Sequence, residues 1–242
     1  MTDWSTLEDA CGSAEHVPEL LERFTADPDY AWSELMDHLC PQLDTAFSAS
    51  FAALPQLARL ASSCVPEKRQ SVLLAAGAIM ACAPTPTGTG TVFEAYAPAI
   101  AELHRLADQG LRATRGEESY LYLLQALLSF EGVEVWDRCL DGLHAGEYEV
   151  TCPYCGVDLF IVISPQSGFS ASDDYSLREV EKAPLTAIHT TELDGLGRRL
   201  HDRANEDGQE RIARCLLYLF GYGQCPDCTT EFSVPDRITA NW

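Results

Sequence analysis

Three stretches of the chain share one alternation of apolar and polar positions. Residues 54–83, 100–132 and 193–221 each open with apolar side chains at helical spacing: Leu54, Leu57 and Leu60; Ile100, Leu103 and Leu106; Leu193, Leu196 and Leu200. Side chains three or four residues apart lie on one face of an α-helix, so each set predicts a helix with one buried stripe. A polar break follows in each, at 62–69, 108–118 and 202–209. Each stretch then closes on a strongly apolar helix: SVLLAAGAIMACA, SYLYLLQALLSF and RIARCLLYLFG. A shorter pair is predicted at 17–40, with Leu20, Leu21 and Phe24 before Pro28 and Trp32, Leu35, Met36 and Leu39 after it. Proline ends the first of these helices because it cannot continue the hydrogen-bond ladder. The longest unbroken apolar run, 72–83, has twelve residues. A membrane helix needs about 20, so no helical span is expected.

Strand-like sequence is confined to two places, and both adjoin cysteines. Residues 147–151 (EYEVT) lead into Cys152-Pro153-Tyr154-Cys155, and 157–163 (VDLFIVI) leave it; 229–234 (TTEFSV) leave Cys225-Pro226-Asp227-Cys228. Two thiolates two residues apart grip one side of a metal ion when the chain turns tightly between them, and proline pre-sets that turn. Gly156 follows the first pair, where such a turn calls for a positive φ. Together Cys152, Cys155, Cys225 and Cys228 supply the four thiolates of a tetrahedral zinc site. A closed four-sulfur set leaves no position for water or substrate, so the expected Zn2+, one per chain, is structural. The other six cysteines (Cys11, Cys40, Cys64, Cys82, Cys139 and Cys215) sit mostly in apolar helical patterns and are expected to be small core residues.

Turn followed by strand, twice, resembles a zinc ribbon. Here 69 residues separate Cys155 from Cys225, where ribbons have about 15–20, so the resemblance implies a ribbon split by a large insertion. Cys-Pro-Tyr-Cys is also similar to the active-site tetrapeptide of glutaredoxins. There a helix follows the first cysteine and lowers its pKa, whereas VDLFIVI favours a strand. The helical pattern resembles a HEAT/armadillo α-solenoid: Leu57 to Leu103 is 46 residues and Leu103 to Leu196 is 93, near one and two units of about 40–47. These resemblances imply a mostly α fold, a short HEAT-like helical repeat with a small C-terminal zinc-ribbon β element. The expected domains are a helical-repeat domain at 1–145 and, at 146–242, a split ribbon (146–165 and 222–236) holding an inserted helical pair at about 191–221. In this arrangement the ribbon caps the terminal repeat.

Charge narrows the function. Asp and Glu number 37 against 16 Lys and Arg, a formal net charge of −21. This surplus argues against binding nucleic acid or an anionic membrane; it suits a basic protein partner, or serves only to keep the chain dispersed. The one candidate basic patch, Arg198, Arg199, Arg203, Arg211 and Arg214, shares its segment with Asp202, Glu206, Asp207 and Glu210. The start of the chain, MTDWSTLEDA, is acidic and has no apolar core of a secretory signal, so a cytoplasmic location is expected. Arg outnumbers Lys fourteen to two and Ala is abundant, which resembles GC-rich bacterial coding.

No catalytic residue is assigned. None of His16, His38, His104, His144, His189 and His201 lies in an H-E-x-x-H or H-x-x-x-H pair. His38, beside Asp37 and one turn from Glu34, reads as a solvated helix face. The 84–91 segment (PTPTGTGT) lacks the lysine of a phosphate loop and reads as a linker. Residues 164–174, rich in Ser, Gly and Asp, read as a loop from the ribbon strand back to the helices, with a mobile contact loop as the alternative. The reading is a non-catalytic, zinc-stabilised protein-binding module with an acidic surface. In general character it resembles bacterial cytoplasmic immunity or antitoxin proteins, which neutralise a cognate toxin. The alternatives are an enzyme whose site is assembled from scattered residues and a nucleic-acid-associated zinc-ribbon protein.

Overall fold

The computed structural model describes residues 2–84 and 91–242. The fold is mostly α, with small β elements. No helix among the described residues is long and apolar enough to cross a membrane. The predicted linker at 84–91 lies, from 85 to 90, outside the described residues. The chain divides into two compact units, Met1–Thr114 with Ser119–Cys139, and Arg115–Glu118 with Leu140–Trp242.

The first unit opens with a short hairpin, β1 (Glu8–Asp9) and β2 (Gly12–Ser13). Helices follow: α1 (Val17–Ala26), α2 (Pro28–Leu39), α3 (Ser48–Ser63), α4 (Pro66–Ala81), α5 (Val92–Ala95), α6 (Ala97–Ala113), α7 (Glu117–Glu131) and α8 (Trp136–Cys139). Pro28 and Pro66 stand in the first turns of α2 and α4, where a missing N–H has no partner to lose. Helix α1 packs on α2, α3 on α4, and α6 against both α3 and α4. The predicted stripes face inward: Leu20, Leu21, Phe24, Leu35, Leu54, Leu57, Leu103 and Leu106 are all buried. Helices α4 and α7 meet at a small-residue contact, where a Cβ on Gly77 would stand 2.6 Å from the Ala126 Cβ.

Two sequence expectations are corrected here. The polar breaks are much shorter than predicted: α3 runs to Ser63 and α4 starts at Pro66, while α6 runs to Ala113 and α7 starts at Glu117. Polar residues on the outer face prolong a helix without burying charge, so polarity alone does not mark its end. Arg69 from α4 donates to the carbonyls of Ala61 (2.8 Å) and Cys64 (3.2 Å), closing the C-terminus of α3. Helix α3 also begins at Ser48, not near Leu54, and Pro55 lies inside it. Its start is fixed by Ser50, whose hydroxyl accepts from the Phe47 amide at 2.8 Å and donates to the Leu39 carbonyl.

The second unit contains α9 (Gly142–Ala145), β3 (Glu147–Thr151), β4 (Asp158–Ile163), β5 (Gly168–Ala171) and β6 (Ala183–Pro184). Then come α10 (Gly195–Glu206), α11 (Glu210–Leu219), β7 (Tyr222–Gln224), β8 (Glu231–Ser233) and α12 (Val234–Ala240). Strands β3 to β6 form one antiparallel sheet in chain order, and β7 pairs with β8. Tyr148, Val150, Leu159, Ile161 and Ile163 alternate inward from β3 and β4, the pattern of a sheet with one covered face. Helix α12 packs on β3 and α11 on β4. Thr186 and Tyr222 exchange backbone hydrogen bonds of 2.8 and 2.9 Å, joining the chain after β6 to β7.

The expected loop at 164–174 is corrected: it contains β5. Its buried residues, Ser170 and Ala171, are small, so the strand lacks the large apolar side chains that would announce it. The Ser170 hydroxyl donates to the backbone carbonyl of Gln224, which removes the cost of burying it. Lys182 crosses back over this sheet, its Nζ 4.4 Å from the centre of the Phe169 ring.

One buried carboxyl makes the first unit sensitive to pH. Asp137, 8% exposed, has no hydrogen-bond partner for its Oδ1 among the described residues. Burial pushes its pKa up to about 6, against a partial opposing pull from Arg138. Between the ordinary 3.8 and about 6 the folded chain holds a proton that the unfolded chain has released. Stability from this group therefore falls as pH rises through that window and stays low above it. We expect Asp137→Asn to gain up to about 3 kcal/mol relative to the parent chain at pH 8 and much less at pH 4. Urea denaturation of both chains across that range checks this; an equal difference at both pH values would contradict it.

Candidate metal centre

Each Cys-Pro-x-Cys sits in the turn of a β-hairpin. The first joins β3 to β4 and the second joins β7 to β8. The turns are built alike. Cys152 donates its amide to Val157 O at 2.8 Å, and Cys225 donates to Thr230 O at 2.9 Å. Gly156 N reaches Cys152 O at 3.1 Å, and Thr229 N reaches Cys225 O at 2.9 Å. The residue after the second cysteine is left-handed in both, with φ of +76° at Gly156 and +59° at Thr229. The positive φ expected at Gly156 is present. A strand, not a helix, follows the first pair, so the helix that activates a glutaredoxin thiol is missing here.

The two turns bring all four sulfurs together, every pair within 4.8 Å. Cys152 Sγ lies 3.7 Å from Cys228 Sγ, and Cys155 Sγ 3.8 Å from Cys225 Sγ. Four sulfurs around one ion at metal–sulfur bonds of about 2.3 Å stand about 3.8 Å apart. The spacing therefore fits a single tetrahedral metal ion shared by both turns. Cys152 and Cys225 are buried, Cys228 is half-buried and Cys155 is exposed, so the centre has one side towards solvent.

Amide donors surround the sulfurs in the same pattern twice. Cys152 is bonded by the amides of Cys155 and Tyr154, and Cys225 by those of Cys228 and Asp227. Val157 and Thr230 serve the second sulfur of each turn. Thr230 brings the Cys228 thiol down to about 6, first through its side chain, 3.3 Å away, and then through its amide. Burial pushes Cys152 up, but its amide donors outweigh this and the thiol is lowered. Burial raises Cys225 to about 12. At Cys155 the Val157 amide lowers the thiol, but burial and the neighbouring sulfurs of Cys152 and Cys228 outweigh it. Two thiols are thus held down and two up, as befits four sulfurs too close to ionise together without a cation.

Supporting residues were not legible in the sequence. Ser170 fixes the Gln224 carbonyl directly before Cys225, and Ser172 donates to Asp227 inside the second turn at 2.6 Å. Both come from the stretch read as a loop, and no spacing rule links 170–172 to 224–227.

The remaining cysteines depart from the expected core placement in part. Cys40, Cys139 and Cys215 are buried, Cys64 and Cys82 are half-buried, and Cys11 is exposed. Cys40 and Cys82 face each other across α2 and α4 at 3.5 Å. His38 is also corrected: it turns away from Glu34 and Asp37 and meets Asp9 and His16 instead. The contact joins residues 29 apart in the chain, beyond any helical periodicity. His104 is partly exposed and lies 3.1 Å from Glu131.

Comparison with protein families, curated proteins and solved structures finds no match to the chain.

The matched turns give a prediction of opposite signs. A side chain costs roughly 1–2 kcal/mol in the left-handed region, and nothing lies within 4 Å of a Cβ placed on Gly156. Gly156→Thr should therefore destabilise the metal-loaded chain by about 1–2 kcal/mol through the backbone alone. Thr229→Gly should stabilise it by about 0.5–1 kcal/mol after the added flexibility of glycine. Urea denaturation of the two variants measures both, and a shift of the same sign in each would refute the equivalence.

Proposed function

We propose that Cys152, Cys155, Cys225 and Cys228 hold one structural zinc ion, and that the chain is a non-catalytic binding module for a basic protein. Zinc suits four sulfur donors at tetrahedral spacing, and a filled set offers no position for a reacting ligand. The ion would pin the β3–β4 hairpin to the β7–β8 hairpin and so close the excursion that carries α10 and α11, a split ribbon around an inserted helix pair. The pairs α1–α2, α3–α4 and α10–α11 support the HEAT-like reading of the helical pattern, whereas α6, from the expected 100–132 unit, packs chiefly on α3 and α4. A reducing cytoplasm, where thiols stay available to zinc, fits this chemistry.

The observation that carries the binding reading is the surface of α1 and α2. Glu19, Glu22, Asp27, Asp29, Glu34 and Asp37 are exposed there. Arg23 is the one Arg or Lys of this helix pair, and it is held by Glu19 at 3.0 Å and Glu34 at 2.6 Å. Tyr30, 89% exposed, stands among these acids. An exposed aromatic ring on an acidic helix pair is a suitable contact for a basic partner, such as the toxin of an immunity or antitoxin protein. The arginines that could favour nucleic acid are largely engaged. Arg203 pairs with Asp207 at 2.5 Å, Arg214 with Glu210 at 3.9 Å, and Arg198 donates to the Leu193 carbonyl at 2.9 Å. A cavity of about 370 Å3 lined by Thr2, Trp4, Ala52, Pro55, Gln56 and Arg59 holds no acid–base pair.

Two measurements test the reading. Cys152→Ser and Cys225→Ser should each lose the bound zinc and about 4 kcal/mol of stability, the worth of closing a loop of this length. Wild-type melting temperatures in both would refute a structural ion. For the partner, the tagged full chain is captured from its native host at low and high salt. A stoichiometric basic protein, lost as salt rises and bound about tenfold more weakly by Glu22→Lys/Asp37→Lys, is expected. No such protein, or one indifferent to the charge reversal, would overturn the binding role.

A further inference from the structure

The geometry of the first unit points to a second metal site, distinct from the four cysteines. We propose that Asp9, His16 and His38 bind a divalent transition-metal ion through three protein ligands, leaving its remaining positions open to water or to an oxygen-donor ligand.

The three residues come from separate places: the end of β1, the turn after β2 and the last turn of α2. Asp9 Oδ2 lies 2.8 Å from His38 Nδ1 and 2.9 Å from His16 Nε2, and the two nitrogens are 3.0 Å apart. The Asp9 side chain has no solvent exposure. Its other oxygen, Oδ1, accepts the Cys11 amide at 2.9 Å, which fixes the carboxylate in place. The Ala10 amide donates to the His38 carbonyl at 3.0 Å, so the hairpin is also tied to α2 through its backbone.

Hydrogen bonds to an ionised Asp9 do not by themselves account for this triangle. A carboxylate oxygen only accepts, so both ring nitrogens must carry a proton to bond with it. Two N–H groups then confront each other at 3.0 Å. If either nitrogen gives up its proton to accept from the other, its lone pair faces the carboxylate at 2.8 or 2.9 Å. With Asp9 ionised, neither one proton nor two on these nitrogens leaves all three edges attractive. A cation in front of the three atoms satisfies all three lone pairs at once.

The size of the triangle also selects the geometry. Ligand atoms about 2.1 Å from a metal stand about 3.4 Å apart in a tetrahedron and about 3.0 Å apart on one face of an octahedron. Edges of 2.8, 2.9 and 3.0 Å match the octahedral face. Two histidines and one carboxylate on such a face suit zinc, iron, cobalt or nickel and leave the opposite side free. The rings approach from different directions, 66° apart with centroids 4.6 Å from each other. His16 is 39% exposed and His38 23%, so the free positions have access to solvent.

The test uses the full chain with zinc in its cysteine site and Co2+ as the probe. We expect one further equivalent of Co2+, with the weak visible bands of nitrogen and oxygen ligands and no sulfur-to-cobalt charge transfer. Asp9→Asn and His38→Gln should weaken that equivalent by at least about 100-fold, beyond the loss from removing an outer hydrogen-bond partner. Their zinc content and far-ultraviolet dichroism should stay unchanged. In NMR spectra of the parent chain, the His16 and His38 imidazole signals should broaden before those of His104, His144, His189 and His201. No additional Co2+ bound, binding in either variant as tight as in the parent chain, or broadening spread over all six histidines would overturn the site. The imidazole signals decide the matter even if a variant fails to fold. Because these signals do not involve sulfur, this site and the four-cysteine centre stand or fall separately.

Discussion

Four sulfur atoms gathered at 3.7–3.8 Å pose one electrostatic problem, and much of the second unit is arranged around it. Thiolates that close repel one another unless a cation lies between them or protons remain on some of them. The chain meets this with two copies of one turn, each aiming backbone amides at its sulfurs. The turns lie 69 residues apart, and joining the ends of such a loop costs on the order of 4 kcal/mol in chain entropy. What fills the loop offsets that cost. Strands β5 and β6 extend the first hairpin into a sheet, and Ser170 and Ser172 reach from β5 and its end to the second turn. Helices α10 and α11 pack as a pair within the same excursion.

How much of this could be read from the chain depended on the range of each interaction. The helices were legible because their signal is local: Leu54 and Leu57, or Leu103 and Leu106, lie within one turn of each other and share one buried face. The cysteine pairs were legible because Cys-Pro-x-Cys writes a turn and two ligands into four residues. Strands β3 and β4 were legible because EYEVT and the β-branched apolar run VDLFIVI cover both of them. Strand β5 was not legible, because Ser170 is buried by virtue of a hydrogen bond to Gln224, 54 residues away. Helix ends were misjudged where polar residues such as Ser62 and Asp108 continue a helix on its outer face.

His38 shows the same limit more sharply. Its sequence neighbours, Glu34 and Asp37, point to a solvated helix surface. Its partners in space are Asp9 and His16, from a hairpin of two-residue strands that no periodicity reveals. Asp9 is buried although its segment is among the most acidic in the chain. A buried carboxylate between two imidazoles is a relation among three distant positions, and composition averages it away.

The arginine held between Glu19 and Glu34 is typical of the cations in this chain, fourteen of which are arginines and two lysines. Guanidinium groups stay protonated at any pH the fold survives, and acylating reagents pass them by. Of the two lysines, Lys68 lies 3.5 Å from Asp27 and Lys182 sits over the Phe169 ring. The positive half of the surface is therefore nearly constant, deaf both to proton concentration and to the modifications that silence amines. Any tuning of this protein's field must act through its carboxylates, its imidazoles and its thiols.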